Sequence, residues 1–407
     1  MFNRFDHYLS YGSTDQKTVR DLRSCFNGLL VPGTIAAFQA EGTKGFILSL
    51  SARSEEPYVI DSRFPLFQNR LANPKQSHEM LAAVLGAPEL VNGLALPSAS
   101  DIDEEVSKKI AQSWIDFNVN FEDVQLKTFE KYAARLNEEV SRDNRKEPEY
   151  ILPPYTMVTS RTDGWWEVST RFWSDSIEYS MDKSFARKLR RVVAARDPQV
   201  WSQLASEVPD LEIVGWVSNL NELNLNSENM LIEYGTALSK AQERGQKVFA
   251  LYGGFFSVLL SRYGLTGASH GIGFGEHRDS IELPTSGAPP ARYYVPRLHR
   301  YIGVDIAVRL WRQFPHLISC DCAECNNESP AALDYHALMR HSVRCRHREI
   351  QDWVDMPTAL VIERLEMDSA DFAMCIRDLR APSKVVDRAM EVIPHLEMWA
   401  RAIRRLG

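Results

Sequence analysis

Three cysteines stand in the pattern Cys-x-Cys-x2-Cys at Cys320, Cys322 and Cys325, in the segment ISCDCAECNNESPAALDYHALMRHSVRCRHREIQDW. Thiols this close cannot easily pair with one another, but a tight turn lets their thiolates converge on one soft cation. Zinc takes four such donors tetrahedrally: four cysteines, three cysteines with one histidine, or two of each. A fourth ligand is therefore required, and His341, Cys345 and His347 follow at 16, 20 and 22 residues past Cys325, with His336 a weaker choice. Four protein ligands leave no position open for substrate, so the expected role of the zinc is structural. An iron–sulfur cluster is the alternative and favours Cys345 over a histidine.

Other residues have types and positions that suit a binding site. Tyr252, Gly253 and Gly254 follow the apolar run VFAL, where a tight turn or a close backbone approach to a ligand calls for glycine. Asn219 ends the run LEIVGWVSN and has the donors and acceptors to read a base edge or a ribose hydroxyl. Asp116 and Asn118 alternate in SWIDFNVNFED, which reads as a strand with both side chains on one face. RYYVPRLHR (292–300) interleaves tyrosines with Arg292, Arg297, His299 and Arg300, a mixture that suits base stacking and phosphate contact. Arg340, Arg344, Arg346 and Arg348 extend that basic character towards the cysteines.

The elements that must position these residues alternate in type. Residues 28–38, 44–52, 58–67, 113–123, 150–158, 167–173 and 211–219 read as strands, 246–264 begins as one, and 265–276 is a glycine-rich strand. Residues 77–87, 123–143, 184–196 and 227–245 read as helices, the last stopped by Gly245. Strands alternating with helices imply parallel βαβ units. About eight strands over this length fit a β/α barrel of the TIM type. A doubly wound open sheet is the alternative, but VPGTIAAF lacks the glycine-rich turn such a sheet places after its first strand. The expected organisation is an N-terminal segment 1–27, a β/α barrel 28–282, and a zinc-binding helical C-terminal subdomain 283–407, separated by the proline-rich LPTSGAPPARYYVP.

Composition bounds the function. The hydrophobic share of 44% and charged share of 25% are those of a globular chain, and the formal net charge of −7 argues against a protein that coats nucleic acid indiscriminately. No run approaches the roughly 18 apolar residues of a membrane span. MFNRFDHYLSYGS has no apolar signal-peptide core, so a cytoplasmic location is expected. Disulfides are not expected there, and Cys25 and Cys375 read as buried bystander thiols.

The alternating chain, followed near its end by Cys-x-Cys-x2-Cys and a later histidine, resembles the tRNA-guanine transglycosylase superfamily, which includes queuine-type tRNA enzymes and relatives that insert deazaguanine into DNA. The resemblance implies a structural zinc on an insertion near the last barrel unit, held by Cys320, Cys322, Cys325 and, as best match, His347. VIDSRFPLFQ (59–68) looks like the family's strand ending in Asp-Ser-Gly-Gly-Phe-Gln, which implies a base-exchange role for Asp61 at the barrel mouth. Arg63 and Phe64 stand where the family has two glycines. The family's nucleophilic Asp on a late strand has no counterpart in GASHGIGFGEHRDS (267–280), where Glu276, His270 and Asp279 are the polar candidates. The implied function is exchange of a purine or deazapurine base in tRNA or DNA, with Asp61 and Glu276 as the catalytic carboxylates. The site would be completed by Asp116, Asn219, Tyr252, Gly253, Gly254 and His270. The alternative is a barrel without exchange activity that binds nucleic acid or a protein partner, as in a genome-defence assembly. A glycosidase with Asp61 and Glu276 flanking the scissile bond is a third reading.

Overall fold

Short apolar runs too brief for helices form the centre of the molecule. In the computed structural model, which describes residues 5–12, 15–22, 24–54, 56–71, 73–91, 98–136, 139–273, 276–280 and 290–407, they build one seven-stranded sheet. The strands are β1 (Asp6–Ser10), β2 (Gly28–Pro32), β3 (Tyr58–Asp61), β4 (Arg191–Ala195), β5 (Glu212–Val217), β6 (Lys247–Ala250) and β7 (Leu265–Gly271). Their order is β3-β2-β1-β7-β6-β5-β4, and every neighbouring pair is parallel. A separate antiparallel hairpin joins β8 (Arg292–Val295) to β9 (Arg300–Gly303).

Side chains on the two faces of the sheet belong to different cores, as period-two alternation requires. Tyr8, Leu30, Val59, Val192, Val214 and Leu251 pack with one another on the inner face of a curled sheet. Leu9, Val31, Ile60, Val193, Ile213 and Val248 pack outward under the helices. Both faces are therefore buried, as parallel sheets demand.

The outermost strands, β3 and β4, are both bridged by residues 149–158. Glu149 N–H donates to the Tyr58 carbonyl at 2.9 Å, Ile151 N–H to Lys188 at 3.0 Å, and Val158 N–H to Ala194 at 3.1 Å. Ile151 forms parallel bridges to Ile60 on one side and Leu189 on the other. Pro153 and Pro154 fall between these contacts and have no N–H to donate. The segment therefore touches both edges without forming a continuous ladder.

Several elements differ from the sequence reading. Residues 6–10 form β1, near the middle of the sheet. Residues 113–123 are not a strand: the helix Glu104–Val119 buries Ser107, Ile110, Ala111, Trp114, Ile115 and Asn118 at helical spacing. Residues 44–52 lie in the helix Ala40–Ser54, which is buried nearly all round, and Ser49 and Ser51 satisfy their hydroxyls on the Phe46 and Leu48 carbonyls. Residues 167–173 lie in the helix Trp165–Ser180. Conversely, 184–196 contains β4. Residues 283–289 of the proline-rich stretch 283–296 lie outside the described residues, and the remainder carries β8. Gly245 does end its helix, at φ 80° with nothing within 4 Å of a would-be Cβ. Among the described residues no helix is long and apolar enough to cross a membrane.

The helix Pro198–Glu207 shows how helices are fixed to the sheet. Asp197 caps it by accepting the Gln199 and Val200 N–H groups. Trp201 is fully buried and donates its indole N–H to the Val193 carbonyl of β4 at 3.1 Å. Trp201→Ala removes that donor and opens a cavity, so chemical denaturation is expected to show a loss of about 3–5 kcal/mol. A loss under about 1 kcal/mol, the size of an ordinary surface substitution, would contradict this packing.

Candidate metal centre and strand-end site

The loop that carries the three cysteines is held by its own backbone. Cys325 and Asn326 N–H groups donate to the Cys322 carbonyl at 3.0 and 2.9 Å, and Asn327 N–H to Cys320 at 2.9 Å. Asn326 and Asn327 take left-handed φ values of 45° and 61°, which asparagine tolerates better than most residues. This turn points three buried thiols at the helix Tyr335–Trp353.

On that helix the partner is His341. Its Nδ1 lies 3.1 Å from Cys325 Sγ and 3.5 Å from Cys322 Sγ, and the four donor atoms of Cys320, Cys322, Cys325 and His341 all lie within 4.8 Å of one another. A tetrahedral zinc with bonds of about 2.3 Å to sulfur spaces its sulfurs about 3.8 Å apart, so the cluster is compatible with a zinc site. His341 Nε2 lies 2.6 Å from the Tyr294 carbonyl and must donate to it, which leaves Nδ1 bare for a metal. The Tyr293 ring stacks on the imidazole at 4.5 Å and 13°. Cys345, one helical turn after His341, brings a further thiol to 3.8 Å from Cys320 Sγ and 3.4 Å from His341 Nδ1.

His347, the fourth ligand expected from the resemblance, is not in this cluster. It is half-buried on another face of the helix, with Nε2 3.1 Å from Gln351 Nε2. The reason is helical phase: His341 and Cys345 are four residues apart and share a face, and His347 is turned away from it. The neighbouring arginines are also committed. Arg340 and Arg344 pair with Glu324 of the cysteine loop at 2.9 and 3.1 Å, and Arg348 pairs with Asp321. Three of the four arginines at 340–348 that looked like a basic patch therefore brace the cysteine loop.

Asp61 ends β3 fully buried. One of its oxygens accepts the Tyr155 hydroxyl at 2.8 Å and the Arg63 N–H at 3.0 Å, and the other accepts the Tyr252 hydroxyl at 2.6 Å. Burial, and then the Asp61 charge, push both phenols well above their usual range and keep them protonated. Arg63 has φ 53°, a conformation that favours glycine, at the position where the resembling motif has one.

Glu276 does not share this pocket as a free carboxylate. It is paired with the buried guanidinium of Arg346 at 2.5 Å, and Arg346 also reaches Glu349 at 3.0 Å. Beside it lies Glu222, which no sequence signal marked. Glu222 accepts the Gly254 N–H at 3.3 Å, and its other oxygen has no hydrogen-bond partner among the described residues. A Cβ on Gly254 would sit 1.9 Å from Glu222 Oε1 and 2.9 Å from Glu276 Oε2, so only glycine lets the two carboxyls come together there. Burial first, then the Glu276 charge, raise Glu222 from 4.5 to about 8.

Residues 276–280 lie across these strand ends. Trp216 donates its indole N–H to the Arg278 carbonyl at 3.1 Å, the Arg278 guanidinium lies 4.7 Å over the Tyr252 ring, and Ser280 N–H donates to Ser218 Oγ at 2.8 Å. A cavity of about 30 Å³ remains between Tyr252, Glu222, Glu276 and Arg278. Gly253 turns at the end of β6, its N–H donating to the Ser269 carbonyl at 3.1 Å, and Asn219 sits half-buried after β5. Residues 274–275, including Gly275 of the glycine-rich strand, lie outside the described residues.

Two expected site residues are elsewhere. Asp116 is exposed on its helix, where it accepts the Tyr179 hydroxyl at 2.7 Å. His270 faces the helix side of β7, edge-on to His7 at 4.9 Å, with Nε2 3.5 Å from Ser257 Oγ. Burial, with Arg346 second, holds His7 down at about 3 and His270 well below its usual value, so both rings are neutral. No protein-family model matches the chain, and no curated protein matches it.

Two predictions test this geometry. Cys320→Ser and His341→Ala should each lose the bound metal when metal per chain is measured on purified protein, and His347→Ala should retain it. Metal lost on His347→Ala and kept on His341→Ala would reverse the assignment. The second concerns pH. The folded pKa of Glu222 lies above its unfolded value, so its contribution to stability is full below 4.5 and is lost as pH rises through about 8. Urea denaturation between about pH 5 and pH 8.5 should show the native chain losing stability more steeply than Glu222→Gln. Parallel pH profiles would mean that Glu222 holds no extra proton.

Proposed function

We propose that the chain is a transglycosylase-like β/α barrel, with residues 150–158 as its eighth strand, whose strand-end mouth recognises a purine or deazapurine base in tRNA or DNA without exchanging it. The parallel contacts of Ile151 to both sheet edges support the closed barrel. Barrel sites are built at the C-terminal ends of strands, where Asp61 lies. Asp61, Tyr155 and Tyr252 supply one acceptor and two phenols, and Trp216, Tyr252 and Arg278 supply flat faces of the kind that stack on bases. Among the three cysteines and His341, zinc would complete a tetrahedron and supply structure only, tying the cysteine loop to the helix.

The observation that carries recognition over exchange is the state of Glu276. Base exchange through a covalent sugar intermediate needs a carboxylate free to attack. Glu276 is instead clamped by Arg346, and stripping a partner from such a buried pair costs about 3–5 kcal/mol. A base entering the mouth also requires residues 276–280 to move off Tyr252, because about 30 Å³ holds no more than a water molecule.

Incubation with labelled guanine or a labelled deazaguanine, together with tRNA or duplex DNA, tests the proposal. Saturable binding of one nucleic acid is expected, with no label incorporated and no adduct that survives denaturation. Asp61→Asn should weaken that binding about tenfold or more while circular dichroism stays native. Incorporated label or a covalent adduct would replace recognition by exchange, and absence of binding to either nucleic acid would remove the reading.

A further inference from the structure

We propose that the inside of the curled sheet, where the strands begin, binds an uncharged apolar molecule the size of two fused rings. Inward side chains ordinarily fill the interior of a small curled sheet. Here the described residues leave a cavity of about 290 Å³ instead. Strands β1, β2, β3, β5, β6 and β7 and the segment 150–152 all contribute to its wall, so it is a pit ringed by the sheet and not a groove across one face.

Volume and lining set the size and kind of guest. An apolar cavity of about 150 Å³ stays dry and takes one benzene ring. The space here is about twice that, which suits two rings. The wall is built from Tyr8, Leu30, Val59, Val214, Phe249 and Leu251, which pack with one another on the inner face. The Tyr8 and Phe249 rings meet edge-to-face at 5.2 Å and 69°, and a flat guest extends such a pair. Thr266, a polar residue of the wall, already donates its hydroxyl to the Val248 carbonyl at 3.0 Å.

The charges at the opening are occupied with one another. Arg190 Nη2 lies 2.8 Å from Glu212 Oε2, and its Nη1 donates to the Arg187 and Leu189 carbonyls at 2.8 and 2.9 Å. Lys247 reaches the other Glu212 oxygen at 3.9 Å. Asp6, the remaining charge at the opening, is likewise not free. A charged guest would give up its hydration and find no unpaired counter-charge in return. An uncharged apolar guest leaves these pairs intact and gains the apolar wall. Asp61 lies where β3 ends, whereas this cavity opens where the strands begin, so the site stands or falls independently of base recognition.

Calorimetric titration of the full chain with indole tests the proposal. Saturable binding of one indole per chain is expected, with a negative heat-capacity change. Raising salt from about 0.05 to about 0.5 M, which screens exposed charges, should not weaken it. Tryptamine adds an ammonium and indole-3-acetate a carboxylate, and neither should bind more tightly than indole. Val214→Trp should abolish binding by filling the space, and the milder Val214→Leu should weaken it. No saturable binding of indole would overturn the proposal. So would an analogue that binds about tenfold more tightly, an affinity that falls about tenfold with salt, or unchanged affinity in either natively folded Val214 variant.

Discussion

The rotational phase of the helix Tyr335–Trp353 is the constraint on which the two candidate centres both depend. One face presents His341 and Cys345 to the cysteine loop, and the residue after Cys345, about 100° further round, presents Arg346 to the sheet. Turning the helix to bring His347 to the thiols would withdraw Arg346 from Glu276. That carboxylate is 10% exposed and would be left buried without this counter-charge. The cysteine loop is braced from the same helix by Arg340, Arg344 and Arg348. The thiol–imidazole cluster, the ion pairs of the loop and a buried ion pair therefore all specify one orientation.

The charge balance behind the strand ends follows from that placement. Arg346 is one guanidinium among Glu222, Glu276 and Glu349, with His299 Nδ1 and the Tyr294 hydroxyl also directed at Glu349, at 2.6 Å and 2.8–2.9 Å. Arg346, even with Arg300 also acting on Glu276, does not neutralise three buried carboxylates, and the arrangement is relieved by retaining a proton on Glu222. Gly254 makes the close approach of Glu222 and Glu276 sterically possible. Asp61 is balanced differently, by two phenol hydroxyls, the Arg63 backbone N–H and, at 3.8 Å, the Arg63 guanidinium.

Much of the strand pattern was legible because buried parallel strands carry continuous apolar runs: 28–32, 58–61, 212–217, 247–250 and 265–271 were all within expected strands. The cysteine spacing was legible because three donors so close together have few other uses. Other elements were hidden for identifiable reasons. β4 spans only Arg191–Ala195 after a run of arginines, so RKLRRVVAAR reads as a basic helix. SWIDFNVNFED alternates over a short window, and its 3–4 spacing emerges only when Glu104–Val119 is read as a whole. That error carried Asp116 into the site. His347 was preferred over His341 on family spacing, whereas treating 335–353 as one helix puts His341 and Cys345 together. Glu222 had no local signature and Arg346 stood out only as one of a basic run, because their significance comes from contacts between segments 54 to 124 residues apart, Glu222 with Glu276 and Arg346 with Glu222.

X-ray absorption at the metal edge of the purified chain tests the central claim most directly, because it reads ligand type and distance at the one point that sets the helix phase. The geometry predicts zinc with three sulfurs at about 2.3 Å and one nitrogen at about 2.0 Å, from Cys320, Cys322, Cys325 and His341. Four sulfurs with no nitrogen would put Cys345 in place of His341. Iron with bridging sulfide, or no bound metal, would contradict the assignment altogether.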